Sequence, residues 1–60
     1  MAKLREIREK QFLTQVELAD KAQISEITLN RLEKGRQKPR FMTIRKLAKA
    51  LGVEPGEIES

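Results

Sequence analysis

Between Thr14 and Gly35 the chain starts a helix, stops it and starts another, with only Gln23 and Ile24 as the link. Thr14 is followed three residues later by Glu17, the spacing at which a hydroxyl and a carboxylate each accept from the other's backbone N–H and fix a helix start. Val16, Leu18, Ala19 and Ala22 then recur at intervals that give a short helix one apolar stripe. Ser25 is a second N-cap, and the helix it opens runs to about Lys34, before Gly35, the residue best able to take a left-handed C-terminal turn. So short a link suits two helices set at an angle, a helix-turn-helix over about residues 15–34.

The rest of the chain also reads as helix. A first helix over about Lys3–Gln11 turns Leu4 and Ile7 inward, with Phe12 and Leu13 expected to close the core beneath its end. A fourth covers about Phe41–Leu51, where Phe41, Ile44, Leu47, Ala48 and Leu51 share one stripe while Arg45, Lys46 and Lys49 lie opposite. Gly52 ends it, Val53 is placed to pack back, and Pro55 suits the first position of a short fifth helix. No segment alternates with a period of two over a useful length, so no sheet is expected. The expected fold is all-α: a compact five-helix bundle forming a single domain over residues 1–60. That length is near the lower limit at which a core supports itself without disulfides or metal.

Charge is distributed unevenly. Residues 31–49 carry eight bases against the single acid Glu33, whereas the remainder carries five bases and eight acids. Such asymmetry points to a polyanionic partner, although from charge alone a solvated basic face explains it as well. Cysteine and histidine are both absent, which excludes a disulfide frame and a thiolate metal site. The remaining carboxylates, lysines and hydroxyls are spread over a domain too small to enclose a sizeable pocket, and there is no glycine-rich phosphate loop. Neither enzymatic activity nor a cofactor is expected. The start MAKLREIREK lacks the apolar stretch of a signal peptide and no run is long enough to span a bilayer, so a cytoplasmic location without membrane partners is expected.

A helix-turn-helix offers its second helix to the major groove of DNA. At the α-helical period of 100° per residue, Leu29 and Leu32 point inward, Thr28 lies at the border, and Ile27, Asn30, Arg31 and Lys34 fan out on the other side. An outward Ile27 beside Arg31 fits a groove reader, with apolar contact to a thymine methyl and a bidentate grip on guanine. The plainer reading makes Arg31 one more solvated base and Ile27 a scattered surface residue. Arg36, Lys38 and Arg40, stiffened by Pro39, form a loop suited to gripping phosphates beside the groove.

Taken together, TQVELADKA, ISEITLNRLEKG, RQKPR and TIRKLAKALGV resemble the lambdoid phage repressor and Cro type of helix-turn-helix, also called the xenobiotic response element family, from about Leu4 to Ile58. The resemblance implies a small bacterial or phage transcriptional regulator that binds operator double-stranded DNA sequence-specifically, usually as a homodimer on two half-sites. It puts Glu26 at the leading base-contact position, with Ile27, Thr28 and Arg31, although a carboxylate at a helix N-terminus also serves the helix dipole. It puts Gln15 on backbone phosphate, and Ser25, Asn30 and Lys34 are assigned to phosphate alongside the loop bases. It further implies an ion pair between Arg8 and Glu33 that fixes the third helix against the first. Gln23 and Phe12 depart from the family pattern, which favours glycine at both places. Gln23 should cost on the order of 1 kcal/mol if the backbone is kept. For self-association the apolar candidates are Val53, Ile58 and Met42, which equally complete the core of a monomer. The alternative function on this fold is a protein-interaction module or an antitoxin component with a toxin partner, which would have no need of Arg31 together with the basic loop.

Overall fold

In the computed structural model, which describes residues 2–59, four α-helices follow one another: α1 (Leu4–Lys10), α2 (Gln15–Ala22), α3 (Glu26–Glu33) and α4 (Phe41–Leu51). The capping box at the start of α2 is complete. The Thr14 hydroxyl accepts from the Glu17 backbone N–H at 3.1 Å, and the Glu17 carboxylate accepts from the Thr14 N–H at 2.9 Å. Ser25 caps α3 by accepting from the Thr28 N–H at 3.0 Å. Helices of seven to eleven residues are too short to persist alone in water, so these caps need the support of tertiary packing.

All four helices stop in the same way. The N–H groups of Leu13, Ile24, Arg36 and Val53 return to the carbonyls of Arg8, Ala19, Arg31 and Ala48, at 3.3, 2.9, 2.9 and 3.0 Å. The residue before each is left-handed: Phe12 at φ 57°, Gln23 at 58°, Gly35 at 69° and Gly52 at 70°. This is the Schellman turn, in which the residue after the left-handed one packs back on the helix. Leu13, Ile24 and Val53 do so against the core. Two of the four corners therefore hold glycine and two hold residues that pay for their Cβ.

The core is built from Leu4 and Ile7 of α1, Leu18, Ala19 and Ala22 of α2, Leu29 and Leu32 of α3, and Leu47, Ala48, Ala50 and Leu51 of α4. α2 lies at its centre, packed against both α3 and α4. Three apolar residues assigned inward by pattern point outward instead. Phe12 is 92% exposed, because the left-handed corner aims its side chain away from the bundle and leaves Leu13 to fill the space. Val16 is exposed because, at 100° per residue, it falls about 110° from the centre of the arc formed by Leu18, Ala22 and Ala19. Phe41 is 75% exposed because burial along α4 begins only at Thr43 and Ile44, so its first turn has no partner inside.

The C-terminal end differs from expectation in two respects. Pro55–Glu57 form a single 3-10 turn rather than a fifth α-helix, so the described residues hold four α-helices. Beyond it a two-residue parallel ladder joins β1 (Ala2–Lys3) to β2 (Ile58–Glu59), with Ala2 opposite Ile58, where no pairing was expected. The ladder places Ile58 in the core, and with Val53 packed against that core, Met42 is the one residue of the three weighed for self-association that remains exposed. Among the described residues no helix is long and apolar enough to cross a membrane.

Gln23→Gly keeps the corner and removes a left-handed Cβ, so it should stabilise the fold by about 1 kcal/mol, raising Tm by roughly 4–8 °C in a domain of this size; thermal unfolding by circular dichroism measures it. The cap gives a pH dependence of known sign. The Thr14 backbone N–H, and then its hydroxyl, hold the Glu17 carboxyl below the usual carboxylate range. A depressed acid contributes stability above its unfolded pKa and loses it as pH falls through the folded one. Glu17→Gln should therefore lower Tm at neutral pH, and the gap to the parent should close on acidification below the ordinary carboxylate range.

Candidate nucleic-acid interface

α3 buries Leu29 and Leu32 completely and turns its other face to solvent. On that face Glu26, Ile27, Asn30 and Arg31 join Arg36 and Gln37 of the following loop to line an open groove of about 590 Å³. Ile27 is 65% exposed. Such exposure is unremarkable for one residue, but Ile27 is the apolar member of a lining otherwise made of charged and amide groups. The turn at the end of α3 brings Arg36 to the groove, because the position that holds Leu13, Ile24 or Val53 after the other helices is here a base.

Thr28 lies half-buried at the edge of this face. Its hydroxyl accepts from the Ser25 hydroxyl at 2.7 Å, so the Ser25 proton is engaged inside the cap and the Thr28 proton is the free one. Arg31, Lys34, Arg36, Lys38 and Arg40 are all exposed, and among the described residues none is in an ion pair. Arg40 immediately precedes α4, and beside it the exposed Phe41 ring lies under the Arg45 guanidinium at 5.7 Å, a cation–π contact.

Behind the exposed face, a polar network sets the position of α3. Arg8 Nε donates to Glu33 Oε2 at 2.6 Å and Arg8 Nη2 donates to Glu33 Oε1 at 3.0 Å, a two-point fork. The third nitrogen, Nη1, donates to the Leu13 carbonyl at 2.8 Å, tying the same guanidinium to the α1–α2 corner. The Glu33 side chain is 3% exposed and that of Arg8 11%. The hydrogen bonding of Arg8 to the Glu33 carboxylate, more than that group's charge, raises the Arg8 pKa further above its already high ordinary value, against the opposing effect of burial. Glu33, the single acid of residues 31–49, is thus covered and neutralised, and the basic segment presents only positive charge outward.

Gln15 extends the network. Its Nε2 donates to Glu33 Oε1 at 3.1 Å, and its Oε1 accepts from Asn30 Nδ2 at 3.3 Å. The side chain expected on a phosphate is therefore occupied at both ends, and with the Glu17 N–H held by the Thr14 hydroxyl, its second N–H and the backbone N–H groups of Gln15 and Val16 are what is left for an anion. Sequence reasoning missed this bridge, and it missed Gln37 as part of the groove. The amides of Gln15 and Asn30 are fifteen residues apart on separate helices, and no local pattern marks them as partners.

A family model described as helix-turn-helix matches residues 4–58. Neither a curated protein nor a solved structure matches the chain.

Removing one member of a covered ion pair leaves the other without a partner, which costs about 3 kcal/mol or more. Total stability for a chain of this length is on the order of 3–9 kcal/mol, so Glu33→Ala should leave the domain close to unfolding at room temperature. Loss of DNA binding should follow from loss of fold. A variant with unchanged thermal unfolding and impaired binding would show that Glu33 acts at the interface itself.

Proposed function

Because the chain belongs to the lambda repressor and Cro type of helix-turn-helix domains, a DNA-binding family, we propose that it is a sequence-specific transcriptional regulator that lays α3 in the major groove of operator DNA. The observation that carries this reading is the face of α3. An apolar side chain, two arginines, two amides and the carboxylate of Glu26 line one open groove, and among the described residues none of these charged groups is in an ion pair.

On this reading Arg31 grips a guanine through its two-nitrogen fork and Ile27 meets a thymine methyl. Glu26 accepts from a cytosine or adenine amino group, and Thr28 has a hydroxyl proton to offer. Arg36, Lys38 and Arg40 hold phosphates along the flank, Lys34 holds one at the end of α3, and the backbone N–H groups at the start of α2 hold another beside Gln15. One domain makes few base contacts, so useful specificity comes from a homodimer on two half-sites about one turn of DNA apart.

Selection from randomised duplexes at stated salt tests the proposal, with enrichment of a palindrome as the expected result. Failure to enrich any sequence would favour a protein-interaction module on the same fold. Arg31→Ala should relax preference at one base position by about 1–3 kcal/mol. Lys38→Ala should weaken binding to all sequences alike and reduce the slope of log K against log salt by about one unit.

A further inference from the structure

From the polar chain that runs Arg8, Glu33, Gln15, Asn30, we infer that Asn30 reads an adenine, and that Gln15 is the residue that positions it for this. The inference rests on the proposed binding of α3 in the major groove and moves Asn30 from the phosphate contacts to the base contacts.

Glu33 fixes the first orientation in this chain. An ionised carboxylate only accepts hydrogen bonds, so the Gln15 amide, 3.1 Å from Glu33 Oε1, must turn its nitrogen toward it. Its oxygen then faces Asn30, and an oxygen there can only be met by a donor. Asn30 must accordingly present Nδ2 to Gln15, at 3.3 Å, and cannot flip without setting two oxygens against each other. Each amide orientation is thus fixed by charge chemistry at the buried end of the chain, where Arg8 grips Glu33 at two points.

What remains of Asn30 is its Oδ1 and one Nδ2 hydrogen. Oδ1 makes no hydrogen bond among the described residues, and it is not enclosed, since no buried side-chain oxygen or nitrogen there lacks a partner. Asn30 lines the groove with Glu26, Ile27 and Arg31, three of the side chains given to base edges. A phosphate has no hydrogen to give, so an amide held with its oxygen outward is poorly suited to it. Base edges differ. In the major groove adenine sets the N6 donor beside the N7 acceptor, matching an amide oxygen beside an N–H. Guanine offers two acceptors, thymine an acceptor and a methyl, and cytosine a donor with no acceptor next to it. Only adenine satisfies both free positions of Asn30.

The test repeats the randomised-duplex selection with the full chain and with Asn30→Ala and Gln15→Met, the latter keeping length and bulk while removing both hydrogen bonds. The parent should enrich adenine at a position within each half-site, and Asn30→Ala should reduce that preference about tenfold while other positions keep theirs. Gln15→Met should relax the same position, because a freed Asn30 amide can present either end. Thermal unfolding of each variant reports separately on the fold. If the parent enriches a sequence but Asn30→Ala weakens all duplexes equally and lowers the salt slope by about one unit, Asn30 is a phosphate contact and the inference fails while the DNA-binding reading stands. Loss of preference in Asn30→Ala with none in Gln15→Met would overturn the positioning role. If the parent enriches nothing, both readings fall together.

Discussion

The placement of α3 depends on the fork between Arg8 and Glu33. Burial of Leu29 and Leu32 holds the helix against the core, but apolar contact is non-directional and tolerates rotation about the helix axis. A planar guanidinium engaging both carboxylate oxygens does not tolerate it. Since an eight-residue helix has little stability of its own, the angle at which it offers Ile27, Asn30 and Arg31 to the outside is set by this polar contact as much as by packing. The same pair has an electrostatic consequence. It removes the one negative charge of residues 31–49 from the surface, so the field over the basic loop is not diluted.

The helix ends show how one local device serves two purposes. At the ends of α1, α2 and α4 the Schellman turn returns an apolar residue to the core, which closes the bundle at its corners. At the end of α3 the same turn delivers Arg36 outward to the groove. A change of one residue type at an equivalent place converts a packing element into part of the candidate interface. The left-handed residues at these turns carry different costs. Gly35 and Gly52 adopt the conformation freely, while Phe12 and Gln23 hold it against their side chains. Nothing in the structure repays Phe12, whose ring is almost wholly exposed.

Features fixed within a few residues were legible in the sequence. The Thr14–Glu17 box, the Ser25 cap and the bounds of α4 are set by neighbours three or four positions away, and each occurs where its pattern puts it. Features that depend on distant partners were not legible. Whether Val16 or Phe41 is buried is decided by which helix covers that turn, and neither is covered. The ladder between Ala2–Lys3 and Ile58–Glu59 has no periodicity to show, being two residues long. Within the candidate interface, the outward face of α3 could be read from the helical period, whereas the bridge from Glu33 through Gln15 to Asn30 requires knowing how closely α2 and α3 cross.

The composition of the groove argues against a surface made only for negative charge. A generic polyanion binder needs donors and cations, and every acceptor on it is a liability, because phosphate oxygens cannot satisfy one. Yet Glu26 and the outward oxygen of Asn30 share the groove with Arg31 and Arg36. Glu26 is exposed and in no ion pair among the described residues, so its charge opposes any duplex that approaches without a donor to meet it. Adenine and cytosine amino groups are such donors; phosphates, guanine N7 and O6, and thymine O4 are not. If α3 lies in the major groove as proposed, interleaved acceptors lower affinity for most sequences and for the bare backbone, and recover it only where amino groups fall in register. On that reading the pattern costs affinity overall and gains discrimination, which separates a base reader from a generic polyanion binder.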